Sequence, residues 1–297
     1  MRTGGRQGMA KFLAVANRKG GVGKSTVAVM LAQAFSVWGN KKVLLLDLDS
    51  QCNASMILLG GEGWVAARGA RRTVSDYFSE SFEADARPPT DYLVDGVGDV
   101  TGPIGEVPPL SLLPGSLLLD DVQGDLFLAY ASRREGPDMG NGLKTWFEQL
   151  IRRFDPYFDV VILDCAPGLS FAALAAMSTA DKVVVPFRPD YVSLHAVDRV
   201  ALIIEQKSNL DELSMVPMEL RRYACLANFV RTDPRERLLI EETGLAHPML
   251  ATELPQRDGI ANAFDWFPQR RPILEKYGPA AHDIRNLFDE VSKLIDG

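Results

Sequence analysis

A short segment near the start of the chain combines closely spaced glycines with a lysine and a hydroxyl side chain. Its residues are Gly20, Gly21, Val22, Gly23, Lys24, Ser25 and Thr26. Glycines let a backbone curl so that its N–H groups point at phosphate oxygens. Lys24 would place a positive charge at the β- and γ-phosphates, and the Ser25 hydroxyl would ligate Mg²⁺. The segment therefore predicts a phosphate loop that binds a nucleotide.

Acidic residues follow two apolar runs further along the chain. Asp47 ends the run VLLLD, with Asp49 two residues later, and Asp164 ends the run VVILD. Ligands of open α/β sheets bind at the carboxyl ends of the strands. We therefore expect Asp164 to reach Mg²⁺ through water. Asp47 is expected to support the same metal shell, although an aspartate there could instead cap the following turn.

The elements that must position these residues alternate along the chain. FLAVA precedes the glycines, and the stretch after them is apolar at helical spacing up to Gly39. Continuous apolar runs such as these are typical of parallel strands covered on both faces. Further runs are 110–115, 160–164, 182–187, 224–229 and 249–255. The pattern predicts an α/β fold: a doubly wound, mainly parallel sheet with helices on both faces, as in P-loop NTPases.

The domain organisation is predicted as one unit. Residues 1–9 are interpreted as a flexible lead-in and residues 10–297 as a single domain. Within it, about 60–110 holds nine acidic residues against four arginines and is interpreted as an acidic surface insertion, partly loop. A final helix over about 280–296 carries an apolar stripe that we expect to pack against the core.

Composition excludes several classes of protein. A net charge of −7 means that any nucleic-acid contact must come from a local basic patch. Cys52, Cys165 and Cys225 are far apart, which argues against disulfides and a cysteine metal site. No apolar run approaches the length of a membrane helix, so we expect no stable membrane insertion.

Lys19 makes the phosphate loop distinctive. The eight-residue window ending at Ser25 begins at Arg18 rather than glycine, so the general pattern GxxxxGK[ST] is not met. KGGxGK[ST] with the first lysine resembles the ParA/MinD family of deviant Walker A P-loop ATPases, closest to the ParA partition type. DLDSQCNAS (47–55), VVILDCAPG (160–168), VVVPFRPDYVSLHAV (183–197) and ELPQRD (253–258) are also similar to family segments. The resemblance covers roughly residues 11–295 except for the acidic insertion.

This resemblance implies roles for further residues. It implies that Lys19 reaches phosphate on the partner's nucleotide in an ATP-dependent homodimer, and that Asp49 orients the attacking water. Asn228 and backbone near Pro255 would face adenine, although Asn228 could equally close a turn. Ser50 and Cys52 depart from the family's proline and glycine, which puts the conformation of this loop in doubt.

The implied function is an ATP- and Mg²⁺-dependent, slow, partner-stimulated ATP hydrolase that positions DNA or a large cargo. It would be cytoplasmic, nucleoid-associated when ATP is bound, and activated by a ParB-like or other small protein. Arg257, Arg270 and Arg271 are the candidates for non-specific DNA contact.

Other classes stay as alternatives. The main one is a switch ATPase at a membrane or secretion apparatus that does not bind DNA. A MinD-like regulator would need a basic amphipathic C-terminal helix, whereas the tail DEVSKLIDG is mixed in charge. An iron–sulfur reductase would need paired cluster cysteines after Asp164. An amidoligase would need a substrate domain, for which only residues 60–110 are spare.

Overall fold

The computed structural model describes residues 9–83, 86–133, 139–261 and 265–296. Residues 1–8 of the predicted lead-in lie outside this range. Within it, no helix is both long enough and apolar enough to cross a membrane.

A single large sheet organises the chain. Eight strands lie in the order β3-β5-β2-β6-β1-β7-β8-β9, and β4 pairs with β10 in a separate two-stranded sheet. Among these strands of the large sheet, the edge pair β3–β5 is antiparallel and the other pairs are parallel. The strands are β1 Lys11–Val15, β2 Val43–Leu48, β3 Val94–Asp95, β4 Val100–Thr101, β5 Leu110–Leu113, β6 Val160–Cys165, β7 Lys182–Phe187, β8 Tyr223–Val230, β9 Leu254–Pro255 and β10 Arg271–Pro272.

Helices connect the strands and cover the sheet. They are α1 Lys24–Val37, α2 Asn53–Gly69, α3 Val74–Ser81, α4 Leu119–Arg133, α5 Met139–Arg152, α6 Phe171–Thr179, α7 Tyr191–Ile204, α8 Leu210–Ser214, α9 Pro234–Ala246, α10 Asp258–Ala261, α11 Ile273–Tyr277 and α12 Ala281–Asp296.

Helices lie on both faces of the sheet because its strands are apolar on both sides. In β1, Phe12 and Ala14 belong to one hydrophobic cluster, whereas Leu13 and Val15 belong to the other. Successive side chains of a strand point to opposite faces, so one continuous apolar run supplies two cores. The predicted doubly wound, mainly parallel fold is confirmed.

One predicted strand was too long. The run 249–255 forms β9 only at Leu254–Pro255, with an isolated bridge between Met249 and Cys225. Pro248 and Pro255 limit the ladder, because proline cannot donate a backbone hydrogen bond. The strand predicted at 110–115 is present as β5.

The final helix packs as its apolar stripe predicted. Ile284, Leu287 and Phe288 of α12 are buried in the same cluster as much of α1. The ring of Phe288 meets that of Phe35 edge-on at 5.1 Å between centroids. The helix that begins at the phosphate loop is therefore enclosed between the sheet and α12.

The segment predicted as an acidic insertion contributes to the core. It contains α3, whose Tyr77 and Phe78 are fully buried, and Tyr92 packs against Tyr77 at 5.2 Å. Its acidic side chains are partly neutralised, since Glu80 accepts hydrogen bonds from Arg87 and Tyr92. The division into a lead-in and one domain with an insertion stays a prediction.

Helix α2 is kinked where it meets the chain's C-terminal part. Gly60 has φ 67° and ψ 174°, so the helix is interrupted there. A Cβ at Gly60 would lie 2.7 Å from the indole ring of Trp266. Glycine is therefore required both by the backbone conformation and by the close approach of Trp266.

A buried ion pair connects the residue before β4 to α11. Lys276 donates a short hydrogen bond to Asp99, and both side chains are fully buried. Burial lowers the pKa of Lys276, and the Asp99 carboxylate opposes this shift. Arg271 lies 4.0 Å from the other Asp99 oxygen, so Asp99 has one close cation and one more distant cation.

We expect Lys276→Met to lower the free energy of unfolding by about 3 kcal/mol, because it leaves the buried Asp99 carboxylate with only the more distant Arg271 as a cation. Urea denaturation measures the change. Lys293→Met, on the exposed side of α12, is the matched control and should be nearly neutral. The double variant Asp99→Asn/Lys276→Met should recover part of the stability. A decrease below about 1 kcal/mol for Lys276→Met would contradict this assignment.

Candidate active site at the phosphate loop

The glycine segment forms a loop between β1 and α1, and this loop lines one side of an open cleft. Gly23, at φ 87°, precedes the first turn of α1, and a Cβ there would lie 2.3 Å from the Asn228 amide nitrogen. The position therefore requires glycine. The cleft has a volume of about 270 Å³. It is lined by Gly20, Gly21, Gly23, Lys24, Ser25, Thr26, Asp49, Gln51, Asn53, Pro167 and Phe229.

Lys24 is buried at the first turn of α1 with its ammonium group beside the loop. Its Nζ donates to the backbone carbonyl of Lys19 at 3.1 Å. Burial lowers the pKa of Lys24, whereas the carboxylates of Asp164 and Asp49 favour its charged form. An ammonium group has three N–H donors, so those beyond this bond can serve phosphate oxygens.

Asp164 is a buried acid beside the phosphate loop. It is fully buried at the end of β6, and the nearest polar side chain to its carboxyl group is the Ser25 hydroxyl, whose contact lowers its pKa. Burial, followed by the neighbouring Asp47 carboxylate, raises its pKa well above the usual range. A buried acid in this state is stabilised by a cation, or by water bound to one.

Asp47 and Asp164 are paired across β2 and β6. Unlike the Asp164 carboxyl group, that of Asp47 accepts several hydrogen bonds. Its Oδ2 accepts hydrogen bonds from the backbone and hydroxyl of Ser55, at 2.9 and 2.6 Å. Burial raises its pKa to about 6, against the effect of these hydrogen bonds. Ser55 also accepts a bond from Gly115, so Asp47 joins α2 to the loop after β5. Its predicted role in the metal shell stays a prediction.

Asp49 faces the cleft. One oxygen accepts from the backbone of Gln51 at 2.9 Å, and burial raises the pKa of the carboxyl group. The loop around it carries the two departures from the family pattern. Ser50 donates to Asp120 at 2.8 Å, and Cys52 has a left-handed backbone at φ 55°. Burial raises the pKa of the Cys52 thiol and so disfavours its reactive thiolate form.

Lys19 is held within its own subunit. Its Nζ contacts both oxygens of Asp190 at 2.8 Å and the Ser193 hydroxyl at 3.1 Å. Asp190 caps α7 by accepting from the Ser193 backbone. Burial alone would raise the pKa of Asp190, but the bonds from Lys19 and Ser193 leave it lowered. Sequence reasoning missed Asp190, although its position before YVS is typical of an N-cap.

Asn228, near the end of β8, forms a hydrogen bond with the phosphate loop. Its amide donates to the Val22 carbonyl at 2.8 Å and accepts from the Phe229 backbone. Both ends of the amide are therefore engaged, and contact with adenine stays a prediction. Pro255 is paired with Val230 in the short β9 ladder. Sequence reasoning also missed Phe229, which lines the cleft and a second cavity of about 210 Å³ and stacks under Arg188 at 4.2 Å.

The three arginines predicted to contact DNA all have partners within the chain. Arg270 donates to the carbonyls of Gly96 and Gly98, and Arg271 stacks on Phe267 at 4.3 Å. Arg257 lies 3.4 Å from Asp283. Their contact with DNA stays a prediction.

Known proteins resemble this chain both in sequence and in fold. A family model described as an AAA domain matches residues 10–215. The chromosome partitioning protein ParA of Caulobacter vibrioides is 31% identical over 66% of this chain, and the chromosome-partitioning ATPase Soj of Thermus thermophilus is 33% identical over 65%. The matches span 62% and 61% of those relatives, just under two thirds. The structure of an ATP complex of McdA from Cyanothece superposes with a TM-score of 0.68 at 18% identity, covering 97% of this chain and 96% of that one.

Proposed function

Since this chain belongs to the ParA/MinD family of P-loop ATPases, we propose that it is an ATP-hydrolysing switch that dimerises on binding ATP and positions DNA or another large cargo. The observation that carries the proposal is a cleft lined by Lys24, Ser25 and Asp49, with the buried carboxyl group of Asp164 close behind Ser25 and Lys24. Two relatives, a chromosome partitioning protein and a chromosome-partitioning ATPase, support DNA as the cargo. A ParB-like activating protein is the partner that this family implies.

The residues of the cleft fit a Mg²⁺–ATP complex. Among the described residues, no group of three or more His, Cys, Asp or Glu side chains could hold a metal ion. A magnesium site of this kind uses few protein ligands and completes its shell with phosphates and water. Ser25 would be the direct ligand, and Asp164 would act through water. The ion, when bound, neutralises charge on the β- and γ-phosphates.

The protein's own groups supply the rest of the chemistry. Backbone N–H groups of residues 20–25 and the positive end of α1 bind the phosphates. Lys24 adds a fixed charge where negative charge develops during transfer. Asp49, next to Gln51 in the cleft, orients the attacking water and accepts its proton.

Exposed apolar side chains support a dimer formed across the cleft. Tyr191 and Val192 are 74% and 68% exposed in the first turn of α7. Leu117 and Leu118 follow β5, Leu169 follows β6, and all three are exposed as well. All five of these apolar residues come after a strand of the large sheet. They therefore lie at the edge formed by the carboxyl ends of the parallel strands, where the phosphate loop also lies. A second copy that closes over the nucleotide would cover them.

Lys19 gives the test of this dimer. Lys19→Ala should fold and bind ATP, yet show no gain in mass by light scattering with ATP. The reason is that it removes the cation that reaches the partner's phosphate. Asp190→Asn is the matched variant, because asparagine still caps α7 while the ion pair with Lys19 is removed. It should dimerise at an equal or up to about fivefold lower ATP concentration. A wild type that stays monomeric with ATP, even with hydrolysis blocked, would contradict the proposal.

ATP-dependent DNA binding at Arg257, Arg270 and Arg271 is the second part of the proposed function, with nucleoid association as its consequence in the cell. Arg270→Glu/Arg271→Glu should abolish the DNA retention that ATP adds and leave dimerisation intact. Removing one phosphate-binding cation lowers the magnitude of the log–log salt slope by about 0.9. Urea denaturation must accompany the assay, because Arg270 also binds two backbone carbonyls.

The alternative is a switch ATPase that acts at a protein or membrane surface without DNA. The contacts that already occupy the three arginines favour it. If the dimer trapped by Asp49→Ala gains no DNA binding at low salt over the nucleotide-free protein, this alternative replaces the partition function.

A further inference from the structure

A groove lies between α7, α8 and the end of α9. Its volume is about 470 Å³, within the range of about 300–1,000 Å³ that is usual for ligand sites in proteins. Most of its wall is apolar and is formed by Leu210, Leu213, Val216, Pro217, Met218 and Leu245. It is called here the α7–α9 groove.

Large apolar side chains continue from this groove onto the surface of the protein. Leu245 is 82% exposed and Met215, just after α8, is 79% exposed. Leu210 and Leu220 are exposed as well, and so is Leu238, which lies two turns before Leu245 on the same side of α9. Exposed apolar surface that extends beyond a cavity marks a site for a macromolecule rather than for a small molecule.

Acidic side chains accompany this apolar surface. Asp198 and Asp211 line the groove, and Glu241 and Glu242 lie one turn before Leu245 on the same side of α9. Asp211, Glu241 and Glu242 are exposed, and they form no ion pair in the ranges that the structure describes. Acids at this position would repel an anionic membrane and attract a segment of protein that carries lysine or arginine.

The cation in the wall of the groove, Arg221, is occupied within the protein. It is buried, and each nitrogen of its guanidinium group donates a hydrogen bond. The acceptors are the carbonyls of Leu213, Val216 and Ala246 and the hydroxyl of Tyr223. Arg221 therefore holds the groove together, and the acids are the charged groups that face a ligand.

A chain of hydrogen bonds beneath the groove orients Asp198. The Tyr223 hydroxyl accepts from Arg221, so its own proton is directed to Nδ1 of His247 at 2.7 Å. The His247 proton then lies on Nε2, which donates to one oxygen of Asp198 at 2.9 Å. The other oxygen lies 3.9 Å from the exposed ring of His195. That oxygen is left in position to accept from an ammonium or guanidinium group.

We propose that the α7–α9 groove binds an amphipathic segment of a partner protein, whose apolar side chains cover Leu210 and Leu245 and whose lysine or arginine pairs with Asp198. A helix with apolar residues at every third or fourth position fits a groove of this kind. The residues that line the groove and those that line the nucleotide cleft are separate sets. This attachment therefore goes beyond the proposed function, since it requires neither ATP nor the dimer.

The test measures fluorescence anisotropy of a fluorescein-labelled peptide of about 18 residues, with leucine at helical spacing and lysine elsewhere, mixed with the nucleotide-free protein. This lysine peptide should bind at least about tenfold more tightly than the same peptide with glutamate in place of lysine, and added salt should weaken its binding. Leu210→Ser/Leu245→Ser should weaken binding of the lysine peptide by about tenfold or more. Leu128→Ser/Leu274→Ser changes two exposed leucines elsewhere and should leave the affinity unchanged.

Asp198→Asn tests the charge of the groove separately from its apolar wall. Asparagine keeps an oxygen that accepts from His247 but removes the charge, so the lysine peptide should bind about fivefold more weakly. Glu62→Gln/Glu275→Gln neutralises two exposed acids elsewhere and is the matched control. Urea denaturation of each variant establishes that it is folded.

Three outcomes would overturn the proposal. The first is that the lysine peptide does not bind, or binds no more tightly than the glutamate peptide. The second is an equal loss of affinity in the two leucine double variants. The third is self-association of the wild type without ATP that Leu210→Ser/Leu245→Ser abolishes, which would assign the groove to a second copy of the chain.

The outcome is independent of the proposed function. ATP hydrolysis and the ATP-dependent gain in mass should stay at wild-type values in Leu210→Ser/Leu245→Ser. If the wild type lacks those two activities, the proposed function fails, and the peptide result still decides whether the groove binds a partner.

Discussion

Lys24→Ala should raise the apparent Kd for ATP by about 100-fold or more and abolish hydrolysis. The ammonium group is buried at the phosphate loop, where it donates to the Lys19 carbonyl. Removing a buried charge that pairs with a ligand costs about 2–5 kcal/mol, and each 1.4 kcal/mol is a factor of about ten in affinity. Binding of a fluorescent ATP analogue and phosphate release together measure the effect.

The control for this variant is Lys41→Ala. Lys41 lies at the opposite edge of the sheet, so this change removes one lysine without touching the cleft. Lys24→Ala should unfold no earlier than the wild type without nucleotide, because burial already disfavours the Lys24 charge. Unchanged affinity for ATP in Lys24→Ala would remove the basis for assigning this loop to phosphate.

Asp49→Ala should lower the rate of ATP hydrolysis by about 10²- to 10⁴-fold while leaving ATP affinity nearly unchanged. The carboxylate lies in the cleft but is separate from the groups that hold the phosphates, so its removal affects the attacking water alone. The ATP-bound dimer should therefore accumulate. Single-turnover hydrolysis and light scattering with ATP report the two effects.

Ser50→Ala is the matched control for Asp49→Ala. It removes the hydrogen bond to Asp120 in the same loop but leaves the carboxylate in place. If Asp49→Ala hydrolyses ATP at the wild-type rate, another residue must position the water, and Asp164 would be the next to examine.

Features with a local signature were predictable from the sequence. The phosphate loop, the carboxylates at Asp47 and Asp164, and the apolar parallel strands depend on residues adjacent along the chain. For that reason the spacing alone placed the glycines up to Gly23 between a strand and a helix that begins near Lys24, as the structure has them. The apolar stripe of α12 could also be predicted from the sequence, because helical periodicity is a local property.

Contacts between distant segments were not predictable. Lys19 meets Asp190 across 171 residues, and Asn228 meets Val22 across 206. The Lys276–Asp99 pair spans 177 residues. Each depends on how helices and strands pack in three dimensions, which no spacing in the sequence records. The same limit explains why 249–255 was predicted as a full strand: its apolar residues did not reveal where pairing with β8 would stop.

The kink in α2 gives the protein a built-in optical probe. The helix begins at Asn53, which lines the nucleotide cleft, and its interruption at Gly60 is covered by the indole of Trp266. Any displacement of α2 when the cleft fills would change the surroundings of that indole, whose emission depends on solvent contact. Since Trp266 is already 37% exposed, even a small displacement could alter its solvent shell. The occupancy of the cleft could thus be followed by intrinsic fluorescence in real time, with Trp266→Phe to separate the signal of this indole from that of Trp64 on the same helix.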